Sequence, residues 1–197
     1  MITMPQCPPI RNANMRLISY ATDQTPTLGG PQTRVLRLGD RWAGEFTTYP
    51  ALYDGEGRIY LSRLVRGMTD TVLIGVIEPG MRGDDYGTPQ IAAAGAFGQS
   101  ISVKGLGADR VVPEGKFLSI VTGGQRFLYQ TTSQVTSDGT GNATLGIYPM
   151  LRRQPQINDT VELSAPKMEG YVSGNEVQWN ITKSKRIGFV FSVVERE

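Results

Sequence analysis

The chain has 197 residues, enough for one medium domain or two small ones, and its formal net charge is only +2. It contains no histidine and a single cysteine, Cys7, so the composition excludes Ser-His-Asp and Cys-His catalysis, histidine-ligated zinc and an internal disulfide. We therefore expect no catalytic residue, no metal and no cofactor, and the low charge argues against nucleic acid as a specific partner.

Strand patterns dominate the first fifty residues. Residues 15–20 form the first periodic segment, and the Pro- and Gly-rich residues 25–31 predict a loop. Residues 35–38 and 42–49 are separated by the turn-forming pair Gly39-Asp40, which predicts a β-hairpin.

After residue 54 the spacing of the apolar residues changes to that of a helix. Apolar residues fall on one helical stripe at Tyr60, Leu61, Leu64, Val65 and Met68. Asp54 is a plausible N-cap, and Gly67 stands where a left-handed C-terminal residue is wanted. Residues 72–77 are almost continuously apolar and predict a buried strand.

The second half of the chain predicts a small β-barrel inside a larger β domain. Residues 81–94 read as a loop, with a domain junction near Ala94. Five short strands follow, at residues 101–106, 117–121, 126–135, 143–148 and 160–163. The chain ends in a predicted hairpin, residues 171–181 and 187–194, which needs a sheet to lie on. We therefore predict a mainly β protein: a β-sandwich with one α-helix from residues 1–94 and 168–197, and an inserted five-stranded barrel of the oligonucleotide/oligosaccharide-binding (OB) type from residues 95–167.

The sequence matches patterns for metal binding or catalysis only weakly. Residues 138–142 place oxygen ligands at alternate positions, as calcium loops do, but a hairpin tip is the better interpretation. Asp84 and Asp85 are adjacent and point apart on an extended backbone, which is wrong for a pair of catalytic carboxylates. A glycosidase-type carboxylate pair assembled by the fold stays open as an alternative.

The order of these elements resembles the distal tail proteins of long, flexible-tailed bacteriophages. The resemblance covers the chain from about Leu28 onward. It is carried by the patterns LGG…R…RLGDRWA, EGRIYLSRLVRGMTDTVLIGV, GQRFLYQTTSQVTSDGTGNATLGIYPMLR and GYVSGNEVQWNITKSKRIGFVFSVVE.

The resemblance implies a structural virion protein. In that family the domain made from both chain ends, the belt, forms a ring of six copies that joins the tail tube protein to the tail hub protein. DNA passes through the lumen without specific binding, and the family has no catalytic residues to carry over. The protein is then expected at the tail tip of the virion, after synthesis in the host cytoplasm, and not in a membrane.

The residue pattern offers candidates for these surfaces. For the contact between subunits they are Leu17, Tyr20, Trp42, Phe46, Tyr49 and Phe191. For a loop facing the lumen they are Asp84 and Asp85. The alternative function is a carbohydrate-binding module, in which the barrel holds a host-surface glycan through Tyr129 and Tyr148.

Overall fold

A computed structural model describes residues 1–80, 84–174 and 176–196. Across these residues the protein is mainly β with one α-helix, several sheets and a closed barrel, which confirms the predicted fold class. The strands before the barrel are β1 (Ile2–Thr3), β2 (Ile10–Ile18), β3 (Thr22–Gln24), β4 (Thr33–Val35), β5 (Arg41–Thr48), β6 (Ala51–Leu52) and β7 (Val72–Gly75). The strands from the barrel onward are β8 (Gln90–Ile91), β9 (Ser100–Lys104), β10 (Val111–Val112), β11 (Phe117–Thr122), β12 (Gln125–Thr131), β13 (Val135–Thr136), β14 (Ala143–Tyr148), β15 (Thr160–Glu162), β16 (Lys167–Val172), β17 (Gln178–Ile181) and β18 (Arg186–Glu195).

The largest sheet has eight strands, in the order β1-β7-β16-β18-β5-β2, with β17 and β6 also paired to β18. Its strands come from residues 2–75 and 167–195, whereas the barrel strands come from residues 90–162. The domain boundaries near residues 94 and 167 stay a prediction. Residues 81–83 of the predicted loop and residue 175 of the terminal hairpin lie outside the described residues.

The barrel closes with six strands, in the order β11-β12-β14-β9-β8-β15. Five of them are those predicted from the sequence. The sixth, β8, lies in the stretch predicted as a loop, because two residues are too few to show a period. Ile91 is nevertheless fully buried there and joins β15 to β9.

One face of the eight-stranded sheet carries the core. Along β18 the residues at odd positions, Ile187 to Val193, are buried, as the alternation predicts. The helix α1 (Arg58–Arg66) and the barrel both pack on this face. Tyr60 of the helix stacks on Phe189, with ring centroids 4.9 Å apart, and Trp42 meets Phe117 of the barrel edge to face at 5.0 Å.

The start and end of the helix differ from the prediction. A single π-helical turn, Tyr53–Gly57, precedes α1. The N-cap position of α1 is Gly57, so Asp54, three residues earlier in that turn, is not the N-cap. Gly67 has φ −63° and is not left-handed. Packing requires a glycine at this position instead, because the Cβ of any other residue would lie 2.5 Å from Val72 Cγ1 and 2.8 Å from Val172 Cγ2.

The predicted hairpin of residues 35–38 and 42–49 is wrong. Residues 33–35 form β4, which pairs with β3, whereas β5 pairs with β2 and β18. The reason is burial: Trp42 and Phe46 place β5 in the middle of the sheet, while every residue from 22 to 38 is exposed.

A buried carboxylate joins the sheet to the barrel. Glu195, at the end of β18, is 1% exposed and accepts the backbone N–H of Trp42 at 3.0 Å and of Leu128 at 2.6 Å. It also pairs with the guanidinium of Arg152, which lies over the ring of Phe127. Burial raises the pKa of Glu195, and Arg152 and the two N–H donors oppose that rise.

Two more carboxylates repeat the arrangement. Glu169 of β16 accepts the backbone N–H of Arg126 at 3.0 Å. Glu78, which follows β7, accepts the backbone N–H of Phe117 at 2.7 Å and the ammonium of Lys116 at 2.5 Å. Acids from the sheet side therefore satisfy backbone donors of two barrel strands, and these charge-assisted hydrogen bonds fix the barrel on the sheet.

Candidate subunit interface

The sheet has one long open edge. Among the described residues β2 pairs only with β5, from Ile10 to Ile18, and its other edge has no partner strand. Nine residues form this strand, and a register shift between Ile10 and Asn12 is its one irregularity. An exposed strand edge offers a row of N–H and C=O groups to another chain.

In the part of the chain that the structure describes, a second open edge lies on the opposite side, along β17. β17 pairs with β18 on the side away from β5, because Val190 pairs with Gln178 on one side and with Thr47 on the other. Around Val190 the sheet is therefore a strip of the four strands β17-β18-β5-β2, which we call the open strip. Its outer face carries the row Gln178, Val190, Thr47 and Asn12.

The strand directions in the open strip alternate. Every neighbouring pair in it is antiparallel, so β17 and β2 run in opposite directions. If β2 of one copy pairs with β17 of another, the alternation continues without a break. The two edges are unlike surfaces on one molecule, so this pairing is head to tail, and head-to-tail contacts generate rings when the rotation closes.

Residues 22–38 project from the end of β2 as an exposed hairpin, which we call the arm. Its strands β3 and β4 pair only with each other among the described residues. Leu28, at the tip, is 99% exposed, and the other exposed large apolar side chains are Val35, Leu36 and Leu38. An ion pair between Arg34 and Asp23, 3.2 Å apart, spans the two strands.

The base of the arm is fixed by Asp40. This buried carboxylate accepts the backbone N–H of Tyr20 at 2.7 Å and the hydroxyl of Ser19 at 3.2 Å. Arg41 donates to the hydroxyl of Tyr20. The two ends of the arm are thus tied together where it leaves the sheet.

A groove of about 300 Å³ lies beside β17. It is lined by residues of β5, β17 and β18, including Thr47, Gln178, Trp179, Phe189 and Val190. Trp179 is 46% exposed, and because it pairs with Phe189 its side chain lies on the sheet face opposite Val190. We call this the Trp179 groove.

The six residues predicted for the subunit contact divide into two groups. Trp42, Phe46 and Phe191 are buried in the core of a single chain, where Phe46 stacks on Phe191 at 5.6 Å. Tyr20 and Tyr49 are exposed, and Leu17 is half-buried on the open strand β2. The contact between subunits stays a prediction for these last three.

The other predicted residues lie on or near the barrel. Asp85 accepts the backbone N–H of Gly87 at 2.8 Å in an exposed turn, and Asp84 accepts the hydroxyl of Tyr86, whose ring is in the barrel core. Tyr129 is fully buried, so its ring offers no face to a sugar, whereas Tyr148 is partly exposed.

The loop at residues 138–142 is a turn between β13 and β14. It is not the hairpin tip expected from the sequence, because β13 pairs with β10 whereas β14 pairs with β9 and β12. The carboxylate of Asp138 accepts backbone N–H groups of Thr140 at 2.9 Å and Asn142 at 2.8 Å, which lower the pKa of Asp138 to about 2. Among the described residues no three acidic or cysteine side chains are grouped as a metal site. No helix in the described part of the chain has the length and apolar character to cross a membrane.

The chain matches no protein-family model, and no curated protein is significantly similar to it. The resemblance to distal tail proteins therefore stays a prediction.

Sequence reasoning missed the arm, the Trp179 groove and the carboxylates at the barrel. The arm was detectable in part, because Leu28 stands alone among Gly, Pro and Thr residues. No sequence pattern indicates the role of the carboxylates, because Glu78, Glu169 and Glu195 are far apart in the chain and resemble ordinary charged residues at strand ends.

Proposed function

We propose that this chain is a structural subunit of the tail tip of a long, flexible-tailed bacteriophage. Copies pair edge to edge through the open strip into a closed ring, six copies in the family that the sequence resembles. The ring sits between the tail tube and the hub, and the genome passes through its lumen. The proposal rests on one observation: the same sheet has two unlike open edges, β2 and β17, on opposite sides.

The direction of the strands supports a ring. A four-stranded antiparallel strip can join the next strip with antiparallel geometry at every boundary. Each junction satisfies backbone groups that otherwise face water, and it covers an edge that would invite unspecific aggregation.

The chemistry of the outer face suits a channel. The side chains across the open strip include the uncharged Gln178, Val190, Thr47 and Asn12, and Ser192 and Asn14 follow in the next row with Glu45 between them. These two central rows have no cation, and the exposed Arg16 of β2 and Arg186 of β18 stand on the same face at its two ends. Because phosphate contacts by Lys and Arg supply most non-specific affinity, a centre without cations does not retain DNA. We expect this face to line the lumen.

Thiol cross-linking tests the ring directly. In a Cys7→Ser background, Asn14→Cys places one thiol on β2 and Asn180→Cys places one on β17. The double variant, treated with a short bismaleimide at assembling concentrations, is expected to give a ladder of covalent oligomers that ends at the ring size, which negative-stain images show independently. The single variants carry one edge thiol each and are expected to give no ladder.

Two results would contradict the proposal. Covalent dimers from a single-cysteine variant, with no larger species from the double variant, indicate a two-fold dimer in which one edge pairs with itself. A ladder that continues without limit indicates an open filament.

A further inference from the structure

The hydrophobic core reaches both open edges of the open strip on the same face of the sheet. At the β2 edge, three half-buried apolar side chains pack against the core, namely Ala13, Met15 and Leu17. At the β17 edge, Trp179 is 46% and Ile181 is 52% exposed. Both lie on the core face, because their partners on β18, Phe189 and Ile187, are buried. The core therefore ends at each edge in apolar side chains that are partly in water.

At the β17 edge, the backbone groups of these same residues are directed outwards. The N–H of Thr182 donates to the carbonyl of Arg186 on β18 at 2.9 Å. Successive residues of a strand direct their backbone groups to opposite sides, so Asn180 also faces β18. Trp179 and Ile181 then direct their N–H and C=O groups to the open edge, where an added strand can pair with them.

The β2 edge has the same arrangement. On β5, the N–H of Trp42 donates to the carboxylate of Glu195 on β18 at 3.0 Å. The N–H of Tyr49 instead donates to the carbonyl of Pro9, directly before β2, at 3.0 Å. Odd-numbered residues of β5 therefore face β2, where they pair with the even-numbered residues of 12–18. The odd-numbered residues of β2, whose side chains face the core, direct their backbone groups to the open edge.

These two edges can join only with their core faces on the same side. Opposite residues of an antiparallel pair exchange hydrogen bonds when both direct their backbone groups at each other, and their side chains then share a face. Odd-numbered residues of β2 must therefore oppose odd-numbered residues of β17 of the next copy. A strip of three strands would not allow this junction, because its two outer strands would run in the same direction.

One register opposes all the core-facing apolar side chains of the two edges. Its pairs are Leu17 with Val177, Met15 with Trp179, and Ala13 with Ile181. Val177, directly before β17, already packs against the core of its own chain. A shift by two residues would place either Val177 opposite Ser19 or Ile181 opposite Arg11, and both of these polar residues are exposed. The apolar side chains thus favour one register over its neighbours.

The other face of this register has complementary charges. The exposed Arg16 lies opposite Gln178, and the exposed Glu176 of the adjoining copy takes the diagonal position. Diagonal neighbours on an antiparallel pair are about 7–8 Å apart, within reach of two long side chains of opposite charge. Asn14 lies opposite Asn180, so no like charges oppose each other along the paired strands.

We propose that the apolar core of each copy continues into its neighbour through this register, with Met15 of β2 packed beside Trp179 of the adjoining copy. This inference rests on the proposed ring. Backbone pairing alone is compatible with several registers, and the apolar pairs select one of them. The same contact removes from water the apolar side chains at which the core ends in a single copy.

Disulfide formation without a linker tests the register in the whole chain. In the Cys7→Ser background, Asn14→Cys with Asn180→Cys places two thiols directly opposite in a non-hydrogen-bonded pair, where side chains are closest. Under mild oxidation this variant is expected to form disulfide-linked oligomers at least tenfold faster than two displaced pairs. These are Asn14→Cys with Gln178→Cys and Asn14→Cys with Thr182→Cys, which move the second thiol by two residues in either direction.

The assembly of two single variants tests the apolar contact. Trp179→Ser removes the largest side chain of the contact, and Val190→Ser removes an exposed apolar side chain from the opposite face of the neighbouring strand. Trp179→Ser is expected to raise the concentration needed for assembly in sedimentation velocity at least tenfold. Val190→Ser is expected to assemble as the wild type does. Urea unfolding below the assembling concentration is expected to show that both variants fold.

The outcomes separate the two proposals. If a displaced cysteine pair oxidises as fast as the pair at 14 and 180, or if Trp179→Ser and Val190→Ser assemble alike, the continued core is wrong. The ring then stands as long as the bismaleimide ladder forms. If Trp179→Ser does not fold, the oxidation rates alone decide. A wild type that forms only dimers overturns both proposals.

Discussion

Replacing Glu195 by glutamine tests whether a buried charge holds the barrel on the sheet. The carboxylate accepts three donors, namely the N–H groups of Trp42 and Leu128 and the guanidinium of Arg152. Glutamine has the same shape but only one acceptor oxygen, so its NH₂ group must face one of these donors. The change removes a charge-assisted hydrogen bond and leaves the cation of Arg152, whose side chain is 7% exposed, without its counter-charge.

The expected cost follows from these losses. A hydrogen bond to a charged group contributes about 1.5–3 kcal/mol to the free energy of unfolding. Removing one partner of a buried ion pair costs about 3–5 kcal/mol in all. That is a large part of a typical free energy of unfolding of about 5–15 kcal/mol. With a urea m-value of about 2 kcal/mol/M, we expect the unfolding midpoint to fall by about 2 M.

Equilibrium urea unfolding of three further proteins completes the test. Glu45→Gln removes an exposed carboxylate from the same sheet and is expected to stay within about 0.5 kcal/mol of the wild type. Adding Arg152→Met to Glu195→Gln removes the unpaired cation and is expected to recover part of the loss, with Arg152→Met alone completing the double-mutant cycle. If Glu195→Gln unfolds within about 1 kcal/mol of the wild type, the carboxylate does not hold the barrel.

A pH titration of Asp138 and a pair of glycine substitutions have definite expectations. The folded pKa of Asp138, about 2, lies below the ordinary 3.8, so the ionised carboxylate favours the folded state above pH 3.8 and this contribution disappears as the pH falls through 2. A carboxyl-carbon NMR titration with a midpoint near 3.8 would refute the hydrogen bonds that Asp138 accepts in its turn. Gly44→Ala places a Cβ 2.6 Å from Cζ of Phe46 and is expected to lower the free energy of unfolding by about 1–3 kcal/mol in thermal or urea experiments. Gly188→Ala, on the same sheet, places a Cβ with no atom within 4 Å and is expected to leave the stability unchanged. Equal stability of the two variants would contradict this packing.

The barrel was predictable from the sequence because its strands are separated by strong turns. Gly115, Gly123 and Gly124 have the positive φ that such turns require, and the strands between them show clear apolar runs. The two-residue strand β8 was not predictable, because its place in the barrel is set by closure and not by a local pattern.

The candidate interface was much less predictable. An aromatic residue on a strand has the same local pattern whether a helix of its own chain or another subunit covers it, so Phe191 and Tyr49 looked alike. The structure separates them, since Phe191 lies under Tyr60 of the helix, whereas Tyr49 is exposed after β5. Open edges have no local pattern at all, because they depend on which strands pair.

The barrel segment leaves and re-enters the sheet at two points that touch. The backbone N–H of Val76 donates to the carbonyl of Pro166 at 2.9 Å, directly beyond the paired strands β7 and β16. Geometrically, a short turn or a different domain could replace everything between them. Energetically it could not do so freely, because each of three acids would lose its donors from the barrel segment: Glu78 those of Lys116 and Phe117, Glu169 that of Arg126, and Glu195 those of Leu128 and Arg152. A replacement that covers these acids must bring backbone N–H groups and cations in place of those, so the sheet constrains which modules evolution or an engineer can graft onto it.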